Sequence, residues 1–292
     1  MTQTERRAEL EQHAGDAFHD AVVASGPGPG RQRWWLEIPL AVAFYIAYAQ
    51  IRDIHGAATL HDRGVARRHG YWLLDAERWL HIDLEHAAQH AFIYHLRPVV
   101  VAMNVYYGTL HFVATLGVFL WLLFRAAPHV YRHARNVLMA GTAIGLVCFA
   151  LFPAMPPRLM PPGIKTQDTM DTVGGLWSYN HGVLEHISDP FAPMPSLHLV
   201  WSSWVAYVLW MRTRHSSRWW VRLSPWLYPI VTGLVVIVTG THWVIDLFGG
   251  VAVFAVAALL ASAFDRWLAR RRMARAASAS DSAASASAAR SR

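Results

Sequence analysis

Thr239-Gly240-Thr241-His242-Trp243-Val244-Ile245-Asp246-Leu247-Phe248-Gly249-Gly250 is the stretch on which the reading of this chain turns. It opens a long apolar run, yet carries one imidazole and one carboxylate four residues apart. On a helix that spacing stacks the two on one face, with the acid placed to orient the ring and stabilise its charge. Such a pair can make a histidine nucleophilic; it is equally the form of a mutually satisfied structural pair. Ionisable groups inside a bilayer are costly unless they are paired or line a wet cavity, so the surroundings have to decide.

Those surroundings are apolar. The chain has 292 residues, 54% hydrophobic and only 15% charged, with 14 tryptophans and a mean hydropathy of +0.22, which is beyond an ordinary soluble domain. We therefore expect an all-α, polytopic membrane protein. Apolar runs near the length of a helical span fall at about residues 34–51, 99–124, 137–152, 196–211, 225–239 and 242–264, a six-transmembrane-helix bundle. Between the first and second spans, Trp72, Leu73, Ala76, Trp79, Leu80, Leu84, Ala87, Ala88, Ala91 and Phe92 recur near helical spacing. They predict external amphipathic helices lying on the membrane or covering the bundle.

The organisation that follows is a polar tail over 1–33, a six-span catalytic domain over 34–264, and an Arg-rich, then Ala/Ser-rich tail over 265–292 that reads as disordered. The formal charge of +7 does not indicate nucleic acid, because 18 of the 26 Lys and Arg lie in the two tails and two short loops on one side. By the positive-inside tendency both termini are cytoplasmic, in a multi-pass protein of the cell membrane. The other ends of the spans, with the 153–196 loop, then face outward. A single Lys against 25 Arg points to a high-GC, bacterial genome. The single cysteine, Cys148, rules out a disulfide framework. Residues 1–30 offer no cleavable signal peptide, so the first span is expected to be its own anchor.

Three segments converge on the outward face. Phe152-Pro-Ala-Met-Pro-Pro-Arg158 holds an arginine in a stiff proline frame, with a planar fork of donors suited to phosphate; alone it also reads as a snorkelling arginine. Met194-Pro195-Ser196-Leu197-His198 starts a helix whose open amides favour an anion, with a histidine placed to protonate a leaving oxygen; alone it reads as an interfacial histidine. The third is the His242/Asp246 pair. Together they form an inventory for phosphoryl transfer.

Pro195-Ser196-Leu197-His198 and Gly240-Thr241-His242-Trp243-Val244-Ile245-Asp246 resemble the second and third motifs of the type 2 phosphatidic acid phosphatase superfamily, Pro-Ser-Gly-His and Ser-Arg-x5-His-x3-Asp. The likeness is closest to its inositol phosphorylceramide synthase-like (inositolphosphotransferase) branch, which has Pro-Ser-Leu-His, His-x3-Asp before Gly-Gly, and a Pro-Pro-Arg segment. It runs across spans three to six and, more weakly, takes in Glu77-Arg-Trp-Leu-His-Ile-Asp-Leu-Glu85. The resemblance implies that His242 becomes a phosphohistidine, Asp246 orients it, His198 protonates the leaving group and Arg158 holds phosphate, with no metal and no cofactor. Val236 stands where the third-motif arginine is expected, and Leu197 replaces glycine. Both departures fit the transferase branch and rest more of the phosphate binding on Arg158, Ser196 and Leu197, with Lys165 a weaker second cation.

The expected reaction moves the phosphoryl or phospho-headgroup portion of a lipid phosphoester onto His242 and then to an alcohol. The alternative is a lipid phosphate phosphatase, with water as acceptor and phosphatidic acid-type or polyprenyl (di)phosphate substrates. A transporter or non-catalytic scaffold is the remote alternative. Trp177, Tyr179, Asn180 and His181 are candidate headgroup or acceptor contacts, or ordinary loop packing. Asn104 and His111, seven apart on one face, are expected to bond between helices. His86 and His90 have ligand-like spacing but lack a convincing third ligand.

Overall fold

A computed structural model describes Trp35 and residues 37–56, 60–175 and 194–290. All the regular elements among these residues are helical. In chain order they are α1 (Glu37–Gly56), α2 (Leu60–Leu80), α3 (Glu85–His95), α4 (Arg97–Arg125, with a π-helical turn at Tyr106–Leu110), α5 (Pro128–Leu151), the one-turn α6 (Thr169–Thr172), α7 (Leu197–Thr213), α8 (Trp219–Val238) and α9 (Val244–Arg290). A helix satisfies its own backbone polar groups, the condition for apolar chain to lie in hydrocarbon. Pro98 and Pro128 fall in the first turns of α4 and α5, where a missing N–H costs nothing.

Among the described residues, four helices are long and apolar enough to cross a membrane: Arg97–Arg125, Pro128–Leu151, Trp219–Val238 and Val244–Arg271. The expected first span is represented by a shorter apolar stretch, Glu37–Ala47. The expected fourth, α7, has 17 residues and packs on α4, α5, α8 and α9. A helix enclosed by other helices need not be lipophilic. Accordingly α7 buries Ser202 and Ser203, and the indole of Trp204 donates to the Ala134 carbonyl at 2.7 Å.

The bundle core gathers Leu122, Tyr131, Val137, Trp204, Val208 and Phe254 from α4, α5, α7 and α9. At the end of the bundle where α5 begins, His133 bridges Asp265 at 2.7 Å and Tyr207 at 3.0 Å, fastening α5, α7 and α9. Past residue 264, α9 continues through the Ala/Ser-rich tail to Arg290. Alanine is the strongest helix former and extending a nucleated helix is easy.

The segment between the first and second spans combines apolar and polar burial. Leu73 and Leu74 are buried with Met155, Met160 and Trp243, but Trp72, Trp79, Leu80 and Leu84 from the expected apolar face are exposed, Trp79 by 79%. Polar residues share the buried face: Glu77, Glu85 and Gln89 are 0%, 3% and 2% exposed. Gln89 explains why. Its amide donates to the carbonyls of Gln167 (2.9 Å) and Val238 (3.1 Å) and accepts from the Gln167 amide (3.0 Å). It thereby satisfies main-chain groups left open at the end of α8 and in the 152–175 loop. These helices cover the end of the bundle where α8 passes into α9.

Candidate active site

His242 lies in the turn between α8 and α9, two residues before the helix proper, so the histidine and Asp246 do not stack along a helix as their spacing suggests. Gly240 makes the turn possible with φ +70°, a conformation that favours glycine. The amides of Thr241 and His242 then fold back on the Val236 carbonyl at 3.1 and 3.3 Å. Asp246 occupies the first turn of α9, where its Oδ2 accepts the Trp243 amide at 2.8 Å and faces His242 Nδ1 at 3.4 Å. This is one half of a capping box, with the carboxylate serving both helix and imidazole. His242 is 4% exposed and Asp246 fully buried.

The opposite ring nitrogen of His242, Nε2, lies 3.3 Å from Nδ1 of His198. Two imidazoles from segments 44 residues apart therefore meet, in the order Asp246, His242, His198. The Ser196 amide donates to the Asp246 carbonyl at 3.1 Å. Of the expected phosphate-binding amides, that of Ser196 is thus engaged, leaving those of Leu197 and His198 as the ones α7 cannot satisfy itself. The Ser196 hydroxyl oxygen is buried with no partner among the described residues. Leu197 packs into the space above Gly145, where an added Cβ would lie 2.5 Å from its Cδ2. The departure from glycine at position 197 is thus matched by a glycine on α5.

Arg158 sits in a 3-10 turn, and its amide donates to the Gly240 carbonyl at 2.9 Å, holding it against the His242 turn. Its guanidinium pairs with Asp168, whose other oxygen caps α6 through the Met170 amide at 3.0 Å. Trp243 fastens the same loop, its indole donating to the Met155 carbonyl at 3.0 Å. Val236 is fully buried and supplies backbone rather than charge. Lys165 is exposed, with φ +61°. Trp177, Tyr179, Asn180 and His181 lie outside the described residues.

The spacing of Asn104 and His111 predicts bonding between spans, and the structure divides the two. Asn104 ties α4 to the loop around α6 through Thr169 and Gly174. His111 is fully buried 4.9 Å from the His198 ring, stacks on Trp201 and takes a 3.3 Å contact from the Tyr228 hydroxyl. Tyr107 stacks on His198 at 4.5 Å from the π-helical turn. An extra residue in one helical turn has no signature in apolar periodicity, so sequence could not bring Tyr107 and His111 to His198 together. His86 and His90 lie 6.2 Å apart, and no group of three or more His, Cys, Asp or Glu suited to a metal occurs among the described residues.

Glu77 and Glu85, the ends of the segment that the family likeness takes in weakly, also reach the start of α9, a role the sequence does not indicate. Glu85 accepts the Val244 amide and Glu77 the Ile245 amide, each at 2.8 Å. With Asp246 on Trp243, three carboxyls meet three successive amides at the start of α9. Burial, then the neighbouring Glu85 charge, pushes the Glu77 carboxyl up to about 9; burial also raises Glu85.

The fold and site define a helical bundle of membrane-spanning character with a His-His-Asp constellation at one end. The family model of the PAP2 superfamily matches residues 71–260, well over half of the chain, and the chain belongs to that superfamily. The matched residues include α3, His198, His242 and Asp246. The crystal structure of Aquifex aeolicus LpxE is similar with a TM-score of 0.37 and 14% identity, over 57% of this chain and 92% of that one. No curated protein sequence matches the chain.

Proposed function

We propose that this is an integral membrane enzyme that takes the phosphoryl or phospho-headgroup portion of a lipid phosphoester onto His242 and passes it to an alcohol. The observation that carries the reading is the His242 ring held between Asp246 Oδ2 and His198 Nδ1. With Asp246 holding Nδ1–H, the Nε2 lone pair points toward His198. Nε2 attacks phosphorus as the bond to the leaving oxygen breaks, and His198 gives that oxygen its proton. In the second step His198 takes a proton from the acceptor hydroxyl, whose oxygen displaces Nε2 from phosphorus. Arg158 and the first amides of α7 balance the equatorial charge; phosphate then competes with Asp168 for the guanidinium.

The motif likeness supports the inositolphosphotransferase-like branch, and the near-complete burial of His242 and Asp246 supports transfer over hydrolysis, because a shielded phosphohistidine is protected from water. Hydrolysis of a lipid phosphate is the second reading, and membership in a superfamily that includes phosphatases favours it. The accompanying architecture is six spans over 34–264, both termini cytoplasmic with the tails 1–33 and 265–292, and the site on the extracytoplasmic face. The tryptophans and arginines at the helix ends support it.

The test is to incubate purified protein with labelled phosphatidylinositol or phosphatidic acid, with and without inositol or a lipid alcohol. A new phosphodiester that needs the alcohol supports transfer, and free phosphate supports hydrolysis. Neither product from any lipid phosphoester contradicts both.

A further inference from the structure

Glu77 and Glu85 hold the covering helices against the start of α9 through bonds to two successive amides. Those amides directly follow that of Trp243, which Asp246 occupies. A helix N-terminus welcomes negative charge, but its effect is about half an elementary charge, and three buried carboxylates exceed it. The charged groups facing Glu77 are Glu85 and Asp246, with His242 beyond Asp246. On its own helix, Arg78 turns to Asp83 at 4.0 Å. Glu77 and Glu85 therefore lack a cation to offset them among the described residues, while Asp246 has His242. Glu77 Oε2 is buried without a hydrogen-bond partner among the described residues, and an uncompensated charge there would cost far more than a retained proton.

We propose that Glu77 and Glu85 form a clamp holding one proton between them, which docks α2 and α3 on the first turn of α9 and so positions Asp246 and His242 for phosphoryl transfer. This rests on the function proposed above. The clamp joins the end of α2 to the helix that carries Asp246, so displacing Ile245 or Val244 displaces the carboxylate that orients the nucleophile. Glu77 and Glu85 are positioning residues, acting through Asp246 without touching phosphate. Losing the shared proton puts two adjacent carboxylates in a buried site and loosens the dock.

Two measurements on the purified full chain test this. Infrared spectra at pH 7 read the proton without reference to activity: wild type shows the C=O band of a buried carboxylic acid, and Glu77→Gln removes it. Turnover of 4-nitrophenyl phosphate in lipid–detergent micelles reads positioning, since its leaving group needs no proton from His198. Glu77→Gln reproduces the protonated side chain, so it keeps kcat at pH 7 within about twofold and loses the alkaline fall of wild type. Glu77→Ala loses about tenfold or more in kcat with little change in KM. No acid band in wild type overturns the clamp whatever the enzyme does. A pH profile of Glu77→Gln that superimposes on wild type overturns the positioning role. A wild type that turns over no phosphoester contradicts the proposed function, and the infrared band still decides the clamp.

Discussion

The backbone amide of Ser196 donates to the backbone carbonyl of Asp246 at 3.1 Å. The segment that brings His198 and the helix that carries Asp246 are thus joined main chain to main chain beside the paired imidazoles. Their separation is insulated from side-chain substitution and sensitive to anything that pushes the two backbones apart.

Gly250 is where such a push can be applied. A Cβ built there would lie 2.6 Å from the Ser196 carbonyl oxygen and 2.8 Å from Leu199 Cβ. Gly250→Ala should destabilise the protein by about 1–3 kcal/mol, the usual cost of overpacking, and lower kcat by about tenfold or more as His198 and His242 separate. Thermal unfolding in detergent and turnover of labelled lipid measure the two effects. Wild-type stability and rate together would show that the contact is not constraining.

Asp246 has two duties that substitution can separate. Asp246→Asn keeps an oxygen for the Trp243 amide and loses the charge beside His242, so unfolding should stay near wild type while kcat falls by about 10²–10⁴. Asp246→Ala should lose as much rate and, in addition, about 1 kcal/mol of helix-cap stability. Equal stability in the two variants would separate the carboxylate from the cap.

In the proposed mechanism His198 is the proton donor to the leaving oxygen. His198→Ala should lose about 10²–10⁴ in rate with a lipid alkoxide leaving group and much less with 4-nitrophenolate. The comparison of the two substrates on one variant checks the role, and equal losses would assign His198 to binding.

Stability should also follow the proton on Glu77. Its carboxyl is raised by burial from 4.5 to about 9, so the folded chain keeps a proton that the unfolded chain releases. This contribution is fully present below pH 4.5 and is lost as the pH rises toward 9. Thermal unfolding of wild type against Glu77→Gln across that window measures it, and the variant should show the shallower decline.

Four long apolar helices and the segments carrying the two histidines and Asp246 were legible because both write themselves into local sequence. Apolar runs marked α4, α5, α8 and α9; His198, His242 and Asp246 sit in short motifs, and the structure brings them together. The polar contacts by which the covering helices hold the start of α9 were not legible. Apolar spacing marked amphipathic helices through Trp79 and Leu84, which are exposed, but gave no sign that Glu77, Glu85 and Gln89 are buried, where the amides of α9 and the carbonyl of Val238 need partners. That demand arises more than 140 residues along the chain, where no local pattern records it. The pairing of Arg158 with Asp168 is lost for a related reason, since a loop that folds back on itself has no period.

The central claim is that His242 carries the transferred phosphorus. Rapid quenching of purified protein with headgroup-phosphate-labelled lipid, followed by peptide mapping, tests it most directly. The account predicts an acid-labile, base-stable label on the peptide containing His242, absent from His242→Ala and accumulating in the absence of acceptor alcohol. Turnover by His242→Ala at the wild-type rate, or label on any other residue, would contradict it.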